Sequence, residues 1–345
     1  MNAIAPAPAP RPSSLSPPSW WSGLAWPLAG LGLLLLFNAL FTAGFFHLEV
    51  RDGHLYGTLI DILNHGAIVM LLGLGMALVI ATAGVDLSVG AVMAIAGAVA
   101  ARLINLGNVP FAVVLGASLL VALAAGSWNG LLVGVFRVQP IVATLILMVA
   151  GRGVAQLITD GQIITFTEPR LVFVGNGHWL GLPFPILLGL AMLGLTALLT
   201  RKTALGLFIE SVGDNQTASF YSGVNATLLK LLVYTFSGFC AGIAGLVTAS
   251  NIKCADANHA GLFLELDAIL ASVVGGTSLA GGRFSLVGAI VGALFIQTLT
   301  TTMYMRNVSA DVAPVPKALA ILLVSLLQSS ALRSRLAQVF GIHKS

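Results

Sequence analysis

Residues 265–282 read ELDAILASVVGGTSLAGG. Two carboxylates, Glu265 and Asp267, open an apolar run in a chain of which only 8% is charged. Two glycine pairs close the run: Gly275, Gly276, Gly281 and Gly282. Such pairs let backbones approach closely where helices pack, or let a segment bend back inside a membrane. The stretch therefore predicts a hydrophobic span in which the glycines serve packing and the acids, placed at its outer boundary near water, serve function.

The composition is typical of a helical membrane protein. Hydrophobic residues make up 57% of 345 residues, the mean hydropathy is +0.98, and 39 residues are glycine. These values predict an all-α polytopic membrane protein. Each span needs about 20 mainly apolar residues, and the apolar runs predict about ten transmembrane helices, or eight if short neighbours merge. The runs are 24–46, 62–82, 88–104, 111–135, 138–158, 184–199, 226–248, 268–282, 285–303 and 315–330.

The chain divides into one membrane domain and two tails. Residues 1–23 are rich in proline, alanine and serine and lack the apolar core of a signal peptide, which predicts a disordered cytoplasmic tail. Residues 24–330 are the predicted membrane domain, and 331–345 a second tail. Basic residues outnumber acidic ones eight to two on the assigned inner side, and acidic residues lead seven to four outside. The positive-inside rule then predicts that both termini are cytoplasmic.

Several function classes are disfavoured by what the sequence lacks. The net charge of +4 comes from scattered basic residues rather than a basic face, so no nucleic-acid partner is expected. The thiols of Cys240 and Cys254 imply neither a disulfide framework nor a metal site. The sequence contains no GxxxxGK[ST], HExxH or GxSxG motif. We therefore expect a non-catalytic chain with no cofactor of its own, and any ATPase on a separate chain.

The longest predicted cytoplasmic connection is TRKTALGLFIESVGDNQTASFYSGVN, residues 200–225. Its pattern predicts two short helices, 206–213 and 216–221, with Gly223 as a stop. A short helix on the inner membrane surface can dock into the groove of a partner protein. An ordinary interfacial loop is the alternative reading.

Polar residues inside the apolar runs are candidates for the translocation pathway or for helix packing. Asp86 lies between two runs, where it can be the N-cap of a helix starting near Leu87 or part of the pathway. Arg152 is too costly to face lipid, so it either anchors its helix or lines the pathway. Amides and hydroxyls more often hold helices together. The remaining candidates are Asn64, Asn129, Thr144, Gln156 and Gln297.

Several motifs resemble the ribose-type family of ABC sugar-importer permeases from about residue 58 to 330. Residues 265–282 resemble its ELDAIAAxxxGGxSLxGG signature, residues 84–90 its GGIDLSVG string and residues 139–153 its QPFIVTLxxxxxxRG segment. The loop 200–225 resembles the segment through which the family couples to its ATPase. The matching loop residues are Thr203, Gly206, Gly213, Asn215, Ala218, Ser222 and Gly223.

The resemblance implies a type II ABC importer-like bundle in the bacterial inner membrane. It implies a second permease copy or a homologous permease, a periplasmic sugar-binding protein, and ATPase subunits that hold ATP and Mg. Within the family, ATLILMVAGRGVAQLIT, RKTALGLFIE and ADANHAGL resemble galactofuranose permeases. Ribose or another monosaccharide remains open, as does the choice between homodimer and heterodimer. At Ser211, Ser219 and Phe220 the loop departs from the family pattern.

One other function class competes with this interpretation. A self-contained secondary transporter or channel would need no docking helix and would carry more ionisable groups inside its helices. Here only Asp86 and Asp61 are candidates for such groups. An intramembrane enzyme is a more distant alternative.

Overall fold

The computed structural model describes residues 20–51, 53–309, 312, 314–319 and 322, with side chains from residue 24 onward. These residues are mostly helical. The helices are α1 Trp20–Phe41, α2 Thr58–Ala81, α3 Val89–Asn105, α4 Phe111–Gly134, α5 Pro140–Ile158, α6 Pro169–Asn176, α7 Phe184–Arg201, α8 Leu205–Asp214, α9 Gln216–Tyr221, α10 Ala226–Ile252, α11 Leu264–Val274 and α12 Leu286–Met305. The predicted tails 1–23 and 331–345 lie wholly or almost wholly outside the described residues.

Three short antiparallel strand pairs lie together at one end of the bundle, which we name the hairpin end. The strands are β1 Leu48–Arg51, β2 His54–Gly57, β3 Ile164–Thr165, β4 His178–Trp179, β5 Leu182–Pro183 and β6 Cys254–Ala255. β1 pairs with β2, β3 with β6, and β4 with β5. The amide of Leu55 donates a 3.1 Å hydrogen bond to Gly181, which joins two of these pairs.

The opposite end of the bundle carries α8 and α9, and we name it the α8–α9 end. Here Ala81 at the end of α2 meets Gly282 of the turn 275–285, with a 3.0 Å hydrogen bond from the Gly282 amide to the Ala81 carbonyl. The connections 82–88, 135–139, 202–225 and 275–285 alternate along the chain with those at the hairpin end. The alternation agrees with a multi-pass chain.

Within the described residues, seven helices are long and apolar enough to cross a membrane: α1, α2, α4, α5, α7, α10 and α12. The predicted count of about ten is not confirmed. α3 is apolar but has only 17 residues, and most of the predicted run 315–330 lies outside the described residues.

The predicted run 268–282 is not one continuous span, which corrects the sequence interpretation. α11 has 11 residues and ends at Val274. The chain then turns at Gly276, whose φ of 93° is left-handed, and the amide of Thr277 bonds to Ser272 at 3.0 Å. Hydropathy could not reveal this break, because glycine and alanine score as apolar whether they continue a helix or end it.

The core is built around α2 and α10, which are mostly buried, whereas α1, α4 and α5 lie at the periphery. α10 approaches α4 so closely that a Cβ at Gly238 would lie 2.8 Å from the Cα of Gly126. It approaches α2 through Ser237, whose Cα would lie 2.9 Å from a Cβ at Gly75. Small residues therefore let the backbones of three helices come together, as is typical of packing inside membranes.

Two helices begin inside the bundle rather than at its ends. The loop 82–88 leaves α2 at the α8–α9 end and returns inward, so that Asp86 contacts Ser237 beside Gly75. Gly75 lies about 9 Å along α2 from Ala81. α3 starts three residues after Asp86, which places its N terminus within the bundle.

The N terminus of α11 meets that of α3 from the opposite direction. The chain descends from β6 at the hairpin end through residues 256–263. A Cβ at Gly90, the second residue of α3, would overlap the carbonyl oxygen of Gly261. Gly261 therefore lies about 22 Å along the α3 axis from Asn105 at the hairpin end. The two helices are thus broken segments whose N termini lie back to back at the centre of the bundle.

Candidate functional site

Asp86 is a buried carboxylate that neutral donors surround; it is 1% exposed. Its Oδ1 accepts hydrogen bonds from the Ser88 amide at 3.0 Å and the Ser88 hydroxyl at 2.6 Å. Asn129 of α4 approaches the same oxygen at 3.4 Å, and Ser237 of α10 donates to Oδ2 at 2.8 Å. The carboxylate thereby ties the loop 82–88 to two helices that are distant in sequence.

The predicted role of Asp86 as an N-cap is wrong. α3 begins at Val89 with Ser88 as its N-cap, and no side chain caps that end. Asp86 instead accepts from the amide two residues later, which is an Asx turn. The preceding carbonyl, that of Val85, accepts from Thr144 of α5 at 3.3 Å and from Tyr234 of α10 at 3.4 Å. Asn129 and Thr144 therefore belong to the same network as Asp86.

The two predicted short helices of the loop 200–225 are present as α8 and α9. Thr203 accepts from the Leu205 amide at 3.2 Å just before α8. Asn215 caps α9, because its Oδ1 accepts from the Ala218 amide at 2.9 Å. Ser222 donates to the Ala218 carbonyl at 3.0 Å, and Gly223 turns the chain with a φ of 83°. These hydrogen bonds all lie within the loop 200–225, so they set its backbone conformation and do not occupy its outer surface.

Three backbones meet where α8 ends, at a cluster that we name the glycine junction: Ala81, Gly213, Gly281 and Gly282. A Cβ at Gly213 would overlap the carbonyl oxygen of Ala81 and lie 2.6 Å from the Gly282 amide. A Cβ at Gly281 would lie 2.7 Å from the Gly213 carbonyl. Gly213 is helical, so the close approach of the neighbouring backbones, and not an unusual backbone angle, excludes a side chain there. Gly206 is similarly confined, against Thr200.

The first glycine pair of the opening motif packs elsewhere. A Cβ at Gly275 would overlap the backbone of Gly288 near the start of α12. Gly276 supplies the left-handed turn after α11. The glycines of residues 275–282 thus serve two separate contacts, one with α12 and one with α8 and α2.

Arg152 lies on α5 and holds the segment 256–263. Its Nη1 donates to the carbonyls of Ala257 at 3.1 Å and Ala260 at 2.5 Å. One turn further along α5, Gln156 donates to Asn258 at 2.7 Å. Carbonyl oxygens stabilise a guanidinium that would otherwise be costly in this setting. Arg152 is therefore an anchor for the descending segment.

The expectation that Glu265 and Asp267 lie near water is wrong, because they are only 5% and 8% exposed. Asp267 forms an ion pair with Lys317, whose Nζ lies 2.9 and 3.0 Å from its two oxygens. Glu265 Oε2 has no hydrogen-bond partner and lies 2.6 Å from the position of a Cβ at Gly90. Both acids lie in the first turn of α11, where the helix dipole favours negative charge.

Two predicted candidates lie apart from these groups. Gln297 of α12 packs against Gly66 of α2 and donates to Thr301 at a long 3.5 Å. Asn64 lies two residues before Gly66 on α2, and its Oδ1 is buried without a hydrogen-bond partner. No hydrogen bond among the described residues connects Asn64 or Gln297 to the Asp86 network.

Sequence reasoning missed several residues that complete the site. Ser237 and Tyr234 stand in an ordinary apolar helix, and Lys317 in a weakly marked run. Phe263 has a left-handed φ of 64° at the N-cap of α11, a conformation that no single-sequence signal indicates. Gly261 stands shortly before the ELD string, but the sequence alone does not show that it faces Gly90.

Residues 58–327 match the family described as the permease component of branched-chain amino acid transport systems. The chain belongs to this family. It is 51% identical over 309 residues to the galactofuranose transporter permease protein of Escherichia coli (strain K12), covering 88% of this chain and 90% of that protein.

Two further relatives extend the comparison. The fructose import permease protein of Bifidobacterium longum (strain NCC 2705) is 40% identical over 316 residues, covering 89% of this chain and 88% of that protein. The ribose import permease protein of Escherichia coli (strain K12) is 37% identical over 276 residues, covering 79% and 85%. No solved structure matches the chain. These matches confirm the predicted resemblance to ribose-type ABC permeases, and a permease component is a non-catalytic membrane subunit.

Proposed function

We propose that this permease carries a monosaccharide across the bacterial inner membrane as the membrane subunit of an ABC importer. The relatives named for galactofuranose, fructose and ribose support a sugar as the substrate. The 51% identity to the galactofuranose permease makes galactofuranose our first choice among sugars. The glycine junction is the single observation that carries the coupling part of the proposal.

The α8–α9 end is the side on which we place the ATPase subunits, which bind ATP and Mg. Phe220 and Tyr221 project from α9 with their rings 5.9 Å apart, and both are well exposed. Exposed aromatic side chains are frequent anchors of protein interfaces. An ATPase that moves α8 and α9 would move Ala81 and Gly282 with them, because the glycine junction leaves no gap between the backbones.

The hairpin end is the side on which we place the periplasmic sugar-binding protein. A second permease, identical or homologous, would pair with this one along its exposed apolar helices, and lipid would cover the rest. In this arrangement both termini are cytoplasmic and the chain crosses the membrane about ten times. The seven described spanning helices and two broken segments support a multi-pass chain of that size.

The orientation is tested by labelling one introduced cysteine at a time in intact cells and in inside-out vesicles, in a Cys254→Ser background in which the remaining Cys240 is buried. Trp179→Cys at the hairpin end should react only from the periplasm, and Tyr221→Cys only from the cytoplasm. Both side chains are exposed, so access is not limiting. Labelling of both from one side contradicts the proposed orientation.

The partners are tested by purifying the permease with its candidate ATPase and binding protein in nanodiscs. Sugar-loaded binding protein should stimulate ATP hydrolysis by the complex, and the permease alone should hydrolyse no ATP. A self-contained transporter or channel is the alternative, and it predicts that neither partner associates. Sugars are then compared as ligands of the binding protein, starting with galactofuranose and ribose.

A further inference from the structure

Residues 256–263 enter the bundle as irregular backbone, and we name them the re-entrant segment. They start beside β6 at the hairpin end and finish at the N terminus of α11. Gly261 abuts Gly90, about 22 Å along α3 from the hairpin end. A hydrocarbon core is about 30 Å thick. The segment therefore reaches the depth of the membrane interior.

One side of the re-entrant segment is fixed to the bundle. Arg152 holds the carbonyls of Ala257 and Ala260, and Ala257 is buried. Asp256 Oδ1 accepts from the amides of Asn258 at 2.9 Å and His259 at 3.2 Å. The re-entrant segment therefore has a defined backbone path, which these hydrogen bonds hold in place.

The other side of the segment is open in the single chain. Asn258 and His259 are exposed near its start, and Leu262, Phe263 and Leu266 are exposed where α11 begins. Lipid cannot cover this face, since irregular backbone at membrane depth occurs only inside protein or beside water. The exposed polar side chains favour water. Gln156 of α5, which is itself exposed, donates a 2.7 Å hydrogen bond to Asn258 on this side.

Phe263 holds a conformation that needs support from its surroundings. Its φ of 64° is left-handed, and the ring is 56% exposed. Such a conformation is unfavourable for a bulky residue and is concentrated at functional sites. The Gly90–Gly261 contact and the Arg152 anchor hold the backbone in place. The fold therefore presents an aromatic ring at the deepest point of an open surface.

We propose that the re-entrant segment lines the aqueous route of the sugar, and that Phe263, with Leu262 and Leu266, is the apolar constriction of that route. Apolar rings gate water-filled pores by dewetting, and a rigid ring can also select by shape which solute passes. The inference rests on the proposed function of the chain as a sugar permease. It adds the residues that close the route and discriminate among solutes.

The first test measures access of water to this position without any sugar. Phe263→Cys and Leu266→Cys, each in a Cys254→Ser background, are treated with a charged methanethiosulfonate in nanodiscs, with and without ATP and the ATPase. Trp179→Cys is the water-exposed control. Leu33→Cys, exposed on the apolar helix α1, is the lipid-facing control. We expect both test positions to react at least about tenfold faster than Leu33→Cys in at least one nucleotide state.

Failure of both test positions to react in every state, while Trp179→Cys reacts, overturns the proposal. Disulfide formation between the Phe263→Cys residues of two permeases without labelling also overturns it, because the face is then an interface. The readout needs no transported sugar. If Phe263→Cys and Leu266→Cys label as expected but the wild-type complex imports no sugar, the result contradicts the proposed function rather than the aqueous exposure.

The second test measures closure of the route. Phe263→Gly relieves the backbone strain and removes the ring, whereas Phe263→Tyr keeps an aromatic of similar size. In proteoliposomes preloaded with labelled sugar, Phe263→Gly should raise ATP-independent efflux by roughly tenfold, and Phe263→Tyr should stay near wild type. Efflux through Phe263→Gly equal to wild type, in a variant that still binds the ATPase, contradicts the constriction.

Discussion

The amide of Gly282 donates a 3.0 Å hydrogen bond to the carbonyl oxygen of Ala81, and Gly213 of α8 packs directly against this pair. The end of α2, the end of α8 and the turn after α11 are therefore joined backbone to backbone. Five residues after Ala81, Asp86 connects the same loop to α4 and α10. A displacement of α8 and α9 consequently reaches the centre of the bundle through a short, fully packed route.

Gly213→Val is expected to uncouple ATP hydrolysis from transport. The valine side chain would push α8 away from Ala81 and Gly282, at a cost of about 1–3 kcal/mol for overpacking. Membrane insertion should survive, while uptake per ATP hydrolysed falls. Gly194→Val is the control, since a side chain at Gly194 meets open space. Uptake and ATPase activity of the reconstituted complex measure this coupling. Full coupling in Gly213→Val would contradict the prediction.

Asp86→Asn is expected to destabilise the permease. Asp86 accepts four hydrogen bonds, and an amide would turn an N–H donor towards the donors of Ser88 or Ser237. A buried mismatch of this kind costs about 1–3 kcal/mol. Thermal unfolding in detergent should show a lower Tm than wild type. Asp61→Asn, at an exposed position of α2, should leave the Tm unchanged; equal Tm values in all three proteins would refute the role of the network.

The ion pair of Asp267 and Lys317 is expected to behave as a buried pair. Its side chains are 12% and 16% exposed. Asp267→Asn or Lys317→Gln alone should lower stability by about 3–5 kcal/mol, because each leaves a buried charge unpaired. Asp267→Leu combined with Lys317→Met should recover most of the loss.

The matched control for that pair is Glu49 with Arg51, an exposed ion pair of 2.7 Å in β1. Glu49→Gln should change stability by less than about 1 kcal/mol. Denaturation of the purified variants tests both statements. Additive losses in the Asp267–Lys317 double variant would show that the two side chains act independently.

The hairpin end is expected to loosen in acid. Burial lowers the pKa of His178, and the neighbouring His54 ring, 4.5 Å away, lowers it further. Tyr56 packs on the same ring. Because the folded state favours neutral His178, the contribution to stability is present above the unfolded pKa of about 6.5 and declines as pH falls below it.

Hydrogen exchange of residues 48–57 and 178–183 measures this effect. Protection should decrease between about pH 7 and 5 in the wild type, and His178→Gln should flatten the dependence. An unchanged pH dependence in His178→Gln would show that the histidine pair is not responsible.

The sequence predicted the helical membrane class, most of the long helices and the two short helices of the loop 200–225. These features depend on local hydropathy and on Gly and Asn signals at helix ends, which a single sequence carries. Asn215 and Gly223 illustrate this, because each acts within its own turn.

The broken helices and the buried acids could not be predicted in the same way. Asp86 is paired with Ser237, 151 residues later, and Asp267 with Lys317, 50 residues later. A charge whose partner is distant in sequence resembles a boundary residue in the sequence alone, as Asp267 does. The sequence also does not show how deep a segment lies in the membrane. The same apolar residues occur in a helix that crosses the membrane and in a segment that ends halfway across it.

The most direct measurement is uptake of labelled galactofuranose and ribose into proteoliposomes that hold the permease with its ATPase, with binding protein at the hairpin end and ATP at the α8–α9 end. The account predicts accumulation of at least one sugar only when permease, ATPase, binding protein and ATP are all present, and none when any one is omitted. Equal uptake by the permease alone, without ATPase or ATP, would contradict it and identify a self-contained transporter.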